Sequence, residues 1–291
     1  MNSILFGTAA ALSWGLHDLL IRFIGRGLGS VTALMSVLAI GAVGLGAAVL
    51  LLGIPLSIEP GRLWLPALSG LAYAVACLGL YRAIAIGPFA LVAPIIASYP
   101  VLSVAWAIAA GTKPAILDLV ATAAIVGGVA IVARYGRSED TAADGPRPGT
   151  TGQAIVAALC SSAGFAVAFA AGQAATDSQH EIAVTAIARV VAVLAVLPLF
   201  AAQPRHERYP TGGRRYLPLI ALIATLDVAA IAFVVTAGSL PSPEMAAVVA
   251  SGFGVVTILL ARLFLKEPIN LVQGVGIAMV FGSVMMLAAR Y

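Results

Sequence analysis

The chain has 291 residues, of which 61% are hydrophobic and only 10% charged, and its mean hydropathy is +1.05. A soluble protein of this size would expose a very large apolar surface, so the composition excludes a soluble enzyme or binding module and specifies an integral membrane protein. The net charge of +4 does not indicate nucleic-acid binding, because the basic residues fall singly or in short clusters between apolar runs, where phospholipid head groups are their natural partners.

A helix needs about 20 mainly apolar residues to cross a hydrocarbon core about 30 Å thick, with every backbone polar group satisfied inside the segment. The sequence offers this ten times: 3–21, 31–52, 63–86, 89–110 and 115–133, then 153–175, 182–202, 216–237, 245–265 and 269–289. The first run lacks a basic leader and a small-residue cleavage pattern before Arg22, so it reads as a retained span. The most polar stretch, RYGRSEDTAADGPRPGTT at 134–151, is rich in turn formers and divides the chain. The expected organisation is a first repeat at 1–134, a linker at 135–152 and a second repeat at 153–291. Cys77 and Cys160 both lie inside apolar runs and predict neither a disulfide framework nor a metal site.

An offset of 154 places Pro114 on Pro268, Leu117 on Leu271, Gly128 on Gly282, Val101 on Val255, Ala107 on Ala261 and Tyr99 on Phe253. Lys113-Pro114 and Glu267-Pro268 then occupy the same short turn in each half. Five helices per repeat make the second copy enter the membrane from the opposite face, an inverted repeat of the kind transporters use to alternate between two asymmetric states. A duplicated scaffold without moving parts is the plainer alternative. Small residues at helical spacing, Gly274, Ala278 and Gly282 on the tenth span and Ala124 and Gly128 on the fifth, predict close helix packing there.

Several motifs recur in an order that carries a resemblance. They are Ala11-Leu12-Ser13-Trp14-Gly15 in the first span, Leu80-Tyr81-Arg82-Ala83-Ile84 ending the third, Gly87-Pro88 before the fourth, and the turns at Lys113-Pro114 and Lys266-Glu267-Pro268. In this pattern the whole chain resembles the drug/metabolite transporter superfamily, in its ten-helix group built from two EamA-type repeats. The resemblance implies an all-α integral membrane fold of ten transmembrane helices in two inverted five-helix repeats. It also implies a central cavity that opens alternately to each side to move amino acids, drugs or other small metabolites, often outward. The small multidrug-resistance relatives carry a glutamate in the first helix for proton-coupled export. This chain has Asp18 near the far end of that span instead, so their mechanism does not transfer.

Charged residues at a helix centre cost about 2.5–3.5 kcal/mol on insertion scales and need a partner or a wet cavity. Arg189 lies about a third of the way into the seventh span and Asp227 at the middle of the eighth. Either they pair across adjacent helices, or they line the cavity, where Asp227 takes a proton or an ammonium and Arg189 a carboxylate; a zwitterion would satisfy both. In the first span Trp14, Asp18 and Arg22 share one face, with Ser13 and His17 on a neighbouring one. Asp18 and Arg22 form a local pair at the membrane edge, or Asp18 and His17 form a gate or proton relay. The fourth and ninth spans carry matched interruptions, Ala97-Ser98-Tyr99-Pro100 and Ser251-Gly252-Phe253-Gly254, and such broken helices point to a transporter's binding site. Of the aromatic residues Trp14, Tyr73, Tyr81, Tyr99 and Phe253, Trp14 and Tyr99 are the expected wall residues. Arg82, Glu244 and Arg262 lie near helix ends as anchors.

The expected site therefore comprises Trp14, Ser98, Tyr99, Arg189, Asp227 and Ser251 for substrate, His17, Asp18 and Asp227 for coupling or gating, and Pro100, Gly252 and Gly254 for helix interruption. The expected function is secondary active transport of a small polar metabolite such as an amino acid, by export or exchange. The partners are a small-molecule solute, the lipid bilayer and protons as the coupling ion, in the plasma (inner) membrane, with oligomeric state open. No cofactor is expected: there is no GxxxxGK[ST] for ATP coupling, and no HExxH or GxSxG to support the rival reading of a membrane enzyme. A channel, a drug exporter and an uptake permease remain alternatives. Basic residues concentrate on the odd-numbered connections, which the positive-inside rule places in the cytoplasm with both termini outside. The resemblance implies the reverse orientation.

Overall fold

The computed structural model describes residues 2–55, 60–86, 95–96, 98–135, 150–176, 181–208, 213–265 and 270–288, and the described residues are all-helical. The main helices are α1 (Ser3–Leu28), α2 (Ser30–Leu51), α3 (Trp64–Ile86), α4 (Tyr99–Ala109) and α5 (Ile116–Tyr135) in the first half. In the second half they are α6 (Thr151–Ala175), α7 (Glu181–Ala202), α8 (Leu217–Thr236), α9 (Glu244–Ala250), α10 (Phe253–Leu265) and α11 (Leu271–Ala288). Six helical segments are long and apolar enough to cross a membrane, and four shorter apolar ones, Tyr99–Ala109, Ile116–Ile131, Glu244–Thr257 and Leu271–Leu287, fall in the remaining expected spans. The Gly87-Pro88 and Lys266-Glu267-Pro268 turns, 89–94, Ala97, most of the linker, and the side chains of Arg22 and Arg262 lie outside the described residues.

Local chemistry sets the helix starts. Asn2 Oδ1 accepts from Leu5 N at 3.0 Å to cap α1, and Thr150 and Gln153 form a reciprocal capping box on α6. Asn270 and Gln273 do the same for α11, with bonds of 2.8 and 3.0 Å. The ninth span is two helices, because the chain leaves helical geometry at Ser251–Gly252 between α9 and α10. There Ser251 Oγ donates to Val248 O at 2.7 Å, satisfying a carbonyl at the end of α9.

The packing is closed under exchange of the two halves. α3 packs on α6, and its counterpart α8 packs on α1; α3 packs on α7 as α8 packs on α2; α1 packs on α9 and α10 as α6 packs on α4. The remaining main pairs, α2 with α7, α5 with α11 and α4 with α9, join counterparts to each other. All of these contacts cross between halves, so the repeats interleave. Side chains bind the α3–α6 pair in both directions: Ser69 Oγ on α3 donates to Ala168 O on α6, and Ser161 Oγ on α6 returns a bond to Ala76 O, both at 2.8 Å.

Glycines allow these backbones to touch. A Cβ on Gly164 would lie 2.8 Å from Ala76 N and 2.9 Å from Ala72 O, and one on Gly128 would lie 2.7 Å from Gly276 O. The α5–α11 contact thus runs through Gly128 and Gly276. This corrects the expected stripe on the tenth span: Ala278 and Gly282 are exposed, and nothing lies within 4 Å of a Cβ added to Gly274 or Gly282. The buried face of α11 is instead Gln273, Gly276, Val280, Ser283 and Leu287. Outward faces carry large apolar residues such as Leu51, Ile116 and Leu271, the surface a bilayer covers.

Candidate functional site: a cavity between the halves

A cavity of about 40 Å³ lies at the centre of the bundle. Its walls come from both halves: Trp14, His17 and Asp18 of α1, Leu34 and Val37 of α2, Tyr73, Cys77, Leu80 and Tyr81 of α3, and Tyr99 of α4, facing Phe165 and Phe169 of α6, Asp227 of α8 and Phe253 of α10. On α3 the spacing of four and then three or four residues puts all its wall residues on one face. The volume holds about three waters, so a metabolite enters only when the walls part.

Aromatic rings form a continuous surface across the site. Trp14 lies 5.5 Å from Phe169 and 6.2 Å from Phe253, Tyr99 lies 5.4 Å from Phe169 and 5.8 Å from Phe165, and Tyr73 lies 5.9 Å from Phe165, all between ring centroids. Tyr99 Oη is buried without a hydrogen-bond partner among the described residues. A buried hydroxyl left unpaired is costly, so this group has unspent capacity for a ligand.

Asp227 is held from three helices. Its Oδ1 accepts from Tyr73 Oη at 2.5 Å and Trp14 Nε1 at 3.3 Å, while Oδ2 accepts from Arg189 Nη1 at 2.6 Å. The Arg189 guanidinium also lies over the Tyr73 ring, 5.4 Å from its centroid. The cluster therefore ties α1 and α3 of one half to α7 and α8 of the other. The ion pair is fully enclosed, with side-chain exposures of 1% and 5%. Arg189 stands behind Asp227 and outside the cavity wall, and its Nη2 is buried with no partner among the described residues.

His17 Nδ1 and Asp18 Oδ1 are 2.9 Å apart, and Asp18 is the more open of the two, at 33% side-chain exposure. They sit just past the middle of α1, nearer the end at which the chain turns into α2. The opposite side is closed by polar latches. Gln173 Nε2 donates to Val234 O at 3.0 Å and Pro243 O at 2.9 Å, Thr176 Oγ1 donates to Val235 O, and Ser3 Oγ donates to Pro241 O at 2.5 Å. All seven residues of α9 are buried beneath them.

Trp14, His17, Asp18, Tyr99 and Asp227 thus meet at one cavity, with Arg189 directly behind. Ser98 and Ser251 are not among the walls. Ser98 Oγ donates to Ile95 O and lies 3.3 Å from Ser162 Oγ, and Ser251 spends its hydroxyl on α9. Pro100 is in the first turn of α4, Gly252 is in the break between α9 and α10, and Gly254 lies inside α10. Tyr73, Tyr81 and Phe253 join Trp14 and Tyr99 in the wall, beyond the two aromatic residues expected there. Sequence reasoning missed Cys77, Phe165 and Phe169; the i, i+4 spacing of the two phenylalanines was the available signal.

Comparison with known proteins completes the picture. A crystal structure of another protein, 18% identical, superposes with a TM-score of 0.76 over 99% of this chain and 97% of that one, a likeness of fold. None of the curated proteins matches the chain. The family model of the EamA-like transporter family matches residues 1–134 and again 152–289. With nearly the whole sequence covered by two copies of that model, the chain belongs to the EamA-like transporter family, a group of drug/metabolite-type membrane transporters.

Proposed function

We propose that the protein is a secondary active transporter of the plasma (inner) membrane that exports or exchanges a small polar metabolite, such as an amino acid, by alternating access, with protons as the coupling ion. The observation that carries this reading is the central cavity, walled by both halves, with Asp18 part-exposed at one end and polar latches at the other. The interleaved helices of repeats 1–134 and 153–291 shift against one another about it, and release of the Gln173 and Ser3 latches accompanies closure around His17 and Asp18.

Within the cavity the aromatic wall receives the apolar body of the cargo, and Tyr99 Oη takes a polar group. The carboxylates of Asp18 and Asp227 suit an ammonium, and the unused Nη2 of Arg189 suits a carboxylate once the walls part. The His17–Asp18 pair carries the coupling proton. Asp227 is less suited to that task, since protonating it would strip the buried Arg189 of its countercharge.

Counterflow of a solute panel in proteoliposomes tests the proposal. Saturable exchange of one solute class, with net uptake driven by a pH gradient, is expected. Flux that rises linearly with concentration and shows no counterflow would identify a channel instead.

A further inference from the structure

We infer that the two described parts of the α7–α8 connection, Arg205–Arg208 and Gly213–Tyr216, form a binding site for the head group of an anionic phospholipid. Arg205, Arg208, Arg214 and Arg215 lie in this connection against a single carboxylate, Glu207. Arg205, Arg214 and Arg215 are exposed, while Arg208 Nε is buried and has no hydrogen-bond partner among the described residues. The exposed guanidinium groups of Arg205, Arg214 and Arg215 match phosphate oxygens, which arginine binds through paired N–H groups.

Three observations make this a built corner rather than a loose charge run. Thr32 Oγ1 on α2 donates to Glu207 O at 2.9 Å and contacts Gln203 Oε1 at 3.3 Å, pinning the one-turn helix Arg205–Arg208 to the bundle. Arg215 lies over the Tyr216 ring at 4.7 Å and donates to its hydroxyl at 2.7 Å, and Tyr216 packs on the apolar cluster of Leu28, Ala33 and Ile220. An aromatic ring between an apolar cluster and an arginine is the arrangement of a membrane–water interface. The adjoining residues Leu199 and Leu217 are about half exposed, which supplies a surface for acyl chains beside the head-group site. Val37 belongs both to that cluster and to the cavity wall, so a lipid seated here bears on the transport site.

The inference requires only that the helices span a bilayer, and lipid retention tests it without knowledge of the cargo. Purified protein is offered phosphatidylglycerol or phosphatidylcholine and examined by native mass spectrometry. The wild type should retain phosphatidylglycerol at least about tenfold over phosphatidylcholine, given the attraction of each arginine to anionic lipid. A variant with Arg205→Gln, Arg208→Gln, Arg214→Gln and Arg215→Gln should lose that preference. Arg62→Gln with Lys113→Gln, on the opposite side, should keep it. If the fourfold variant does not fold, Arg205→Gln/Arg208→Gln and Arg214→Gln/Arg215→Gln are read as separate pairs, each expected to lower the preference about fivefold or more. Equal retention of the two lipids by the wild type, or full preference in the folded arginine variants, overturns the inference. Displacement of the lipid by an equal concentration of glycerol phosphate would assign the corner to a soluble oxyanion and overturn the lipid source.

Discussion

Asp227→Asn separates the structural role of the central ion pair from a transport role. The amide keeps the shape of the side chain, and its oxygen still accepts from Tyr73 Oη and Trp14 Nε1, but Arg189 loses the countercharge 2.6 Å from its Nη1. Both partners are at most 5% exposed, so water does not replace the lost charge. Leaving one member of a buried pair unpartnered costs about 3–5 kcal/mol. Thermal unfolding of the purified protein should show that loss for Asp227→Asn. The double variant Asp227→Asn/Arg189→Met should recover most of it, because removing both charges is close to neutral when the space stays filled. Two results would refute the reasoning: an Asp227→Asn protein as stable as wild type, or a double variant whose loss is the sum of the single losses, which would mean that the residues are not coupled.

Other expectations follow from the same geometry. His17→Asn should leave counterflow intact while making net uptake insensitive to an imposed pH gradient; retained pH-driven uptake would move the coupling proton elsewhere. Tyr99→Phe should be at least as stable as wild type, since its Oη satisfies no partner among the described residues, yet bind the cargo found by counterflow about fivefold less tightly, the worth of one hydrogen bond. Equal affinity would reduce Tyr99 to a wall. Gly164→Leu should destabilise the bundle by about 1–3 kcal/mol or more, because the new side chain meets the α3 backbone, whereas Gly274→Ala, facing open space, should stabilise it by up to about 1 kcal/mol. Equal unfolding temperatures for those two proteins would contradict the packing described. In a Cys160→Ala background, Gln173→Ala should slow maleimide labelling of Cys77 from the α1–α2 side, because freeing the latch favours the alternative state; faster labelling would count against the latch.

Much of the architecture was legible because bilayer crossing imposes a length and polarity that composition cannot hide. Ten apolar runs and a shared offset of 154 lead to two five-helix halves without any structure. The break in the ninth span also shows locally, since Ser251-Gly252 is a poor helix-forming pair whose serine hydroxyl competes for backbone carbonyls. Intramembrane charge is equally conspicuous, and so Asp18, Arg189 and Asp227 stand out from sequence alone. Periodicity was less informative on the tenth span. Gly274, Ala278 and Gly282 have the spacing of a packing face, but Gly276 and Val280 supply the contact, because helix rotation depends on what α5 presents and not on the smallest residues available.

The sequence by itself determined that the chain lives in a bilayer, that it is duplicated, and which few polar side chains need an explanation there, since the cost of burying polar groups in hydrocarbon acts on each segment separately. Only the tertiary structure decided what those side chains do for one another. It paired Arg189 with Asp227, enlisted Tyr73 and Trp14 on the same carboxylate, joined His17 to Asp18 at the cavity's part-exposed end, and left Tyr99 Oη unspent. These outcomes depend on helices far apart in the chain meeting at atomic distances, and hydropathy contains no term for which helices become neighbours.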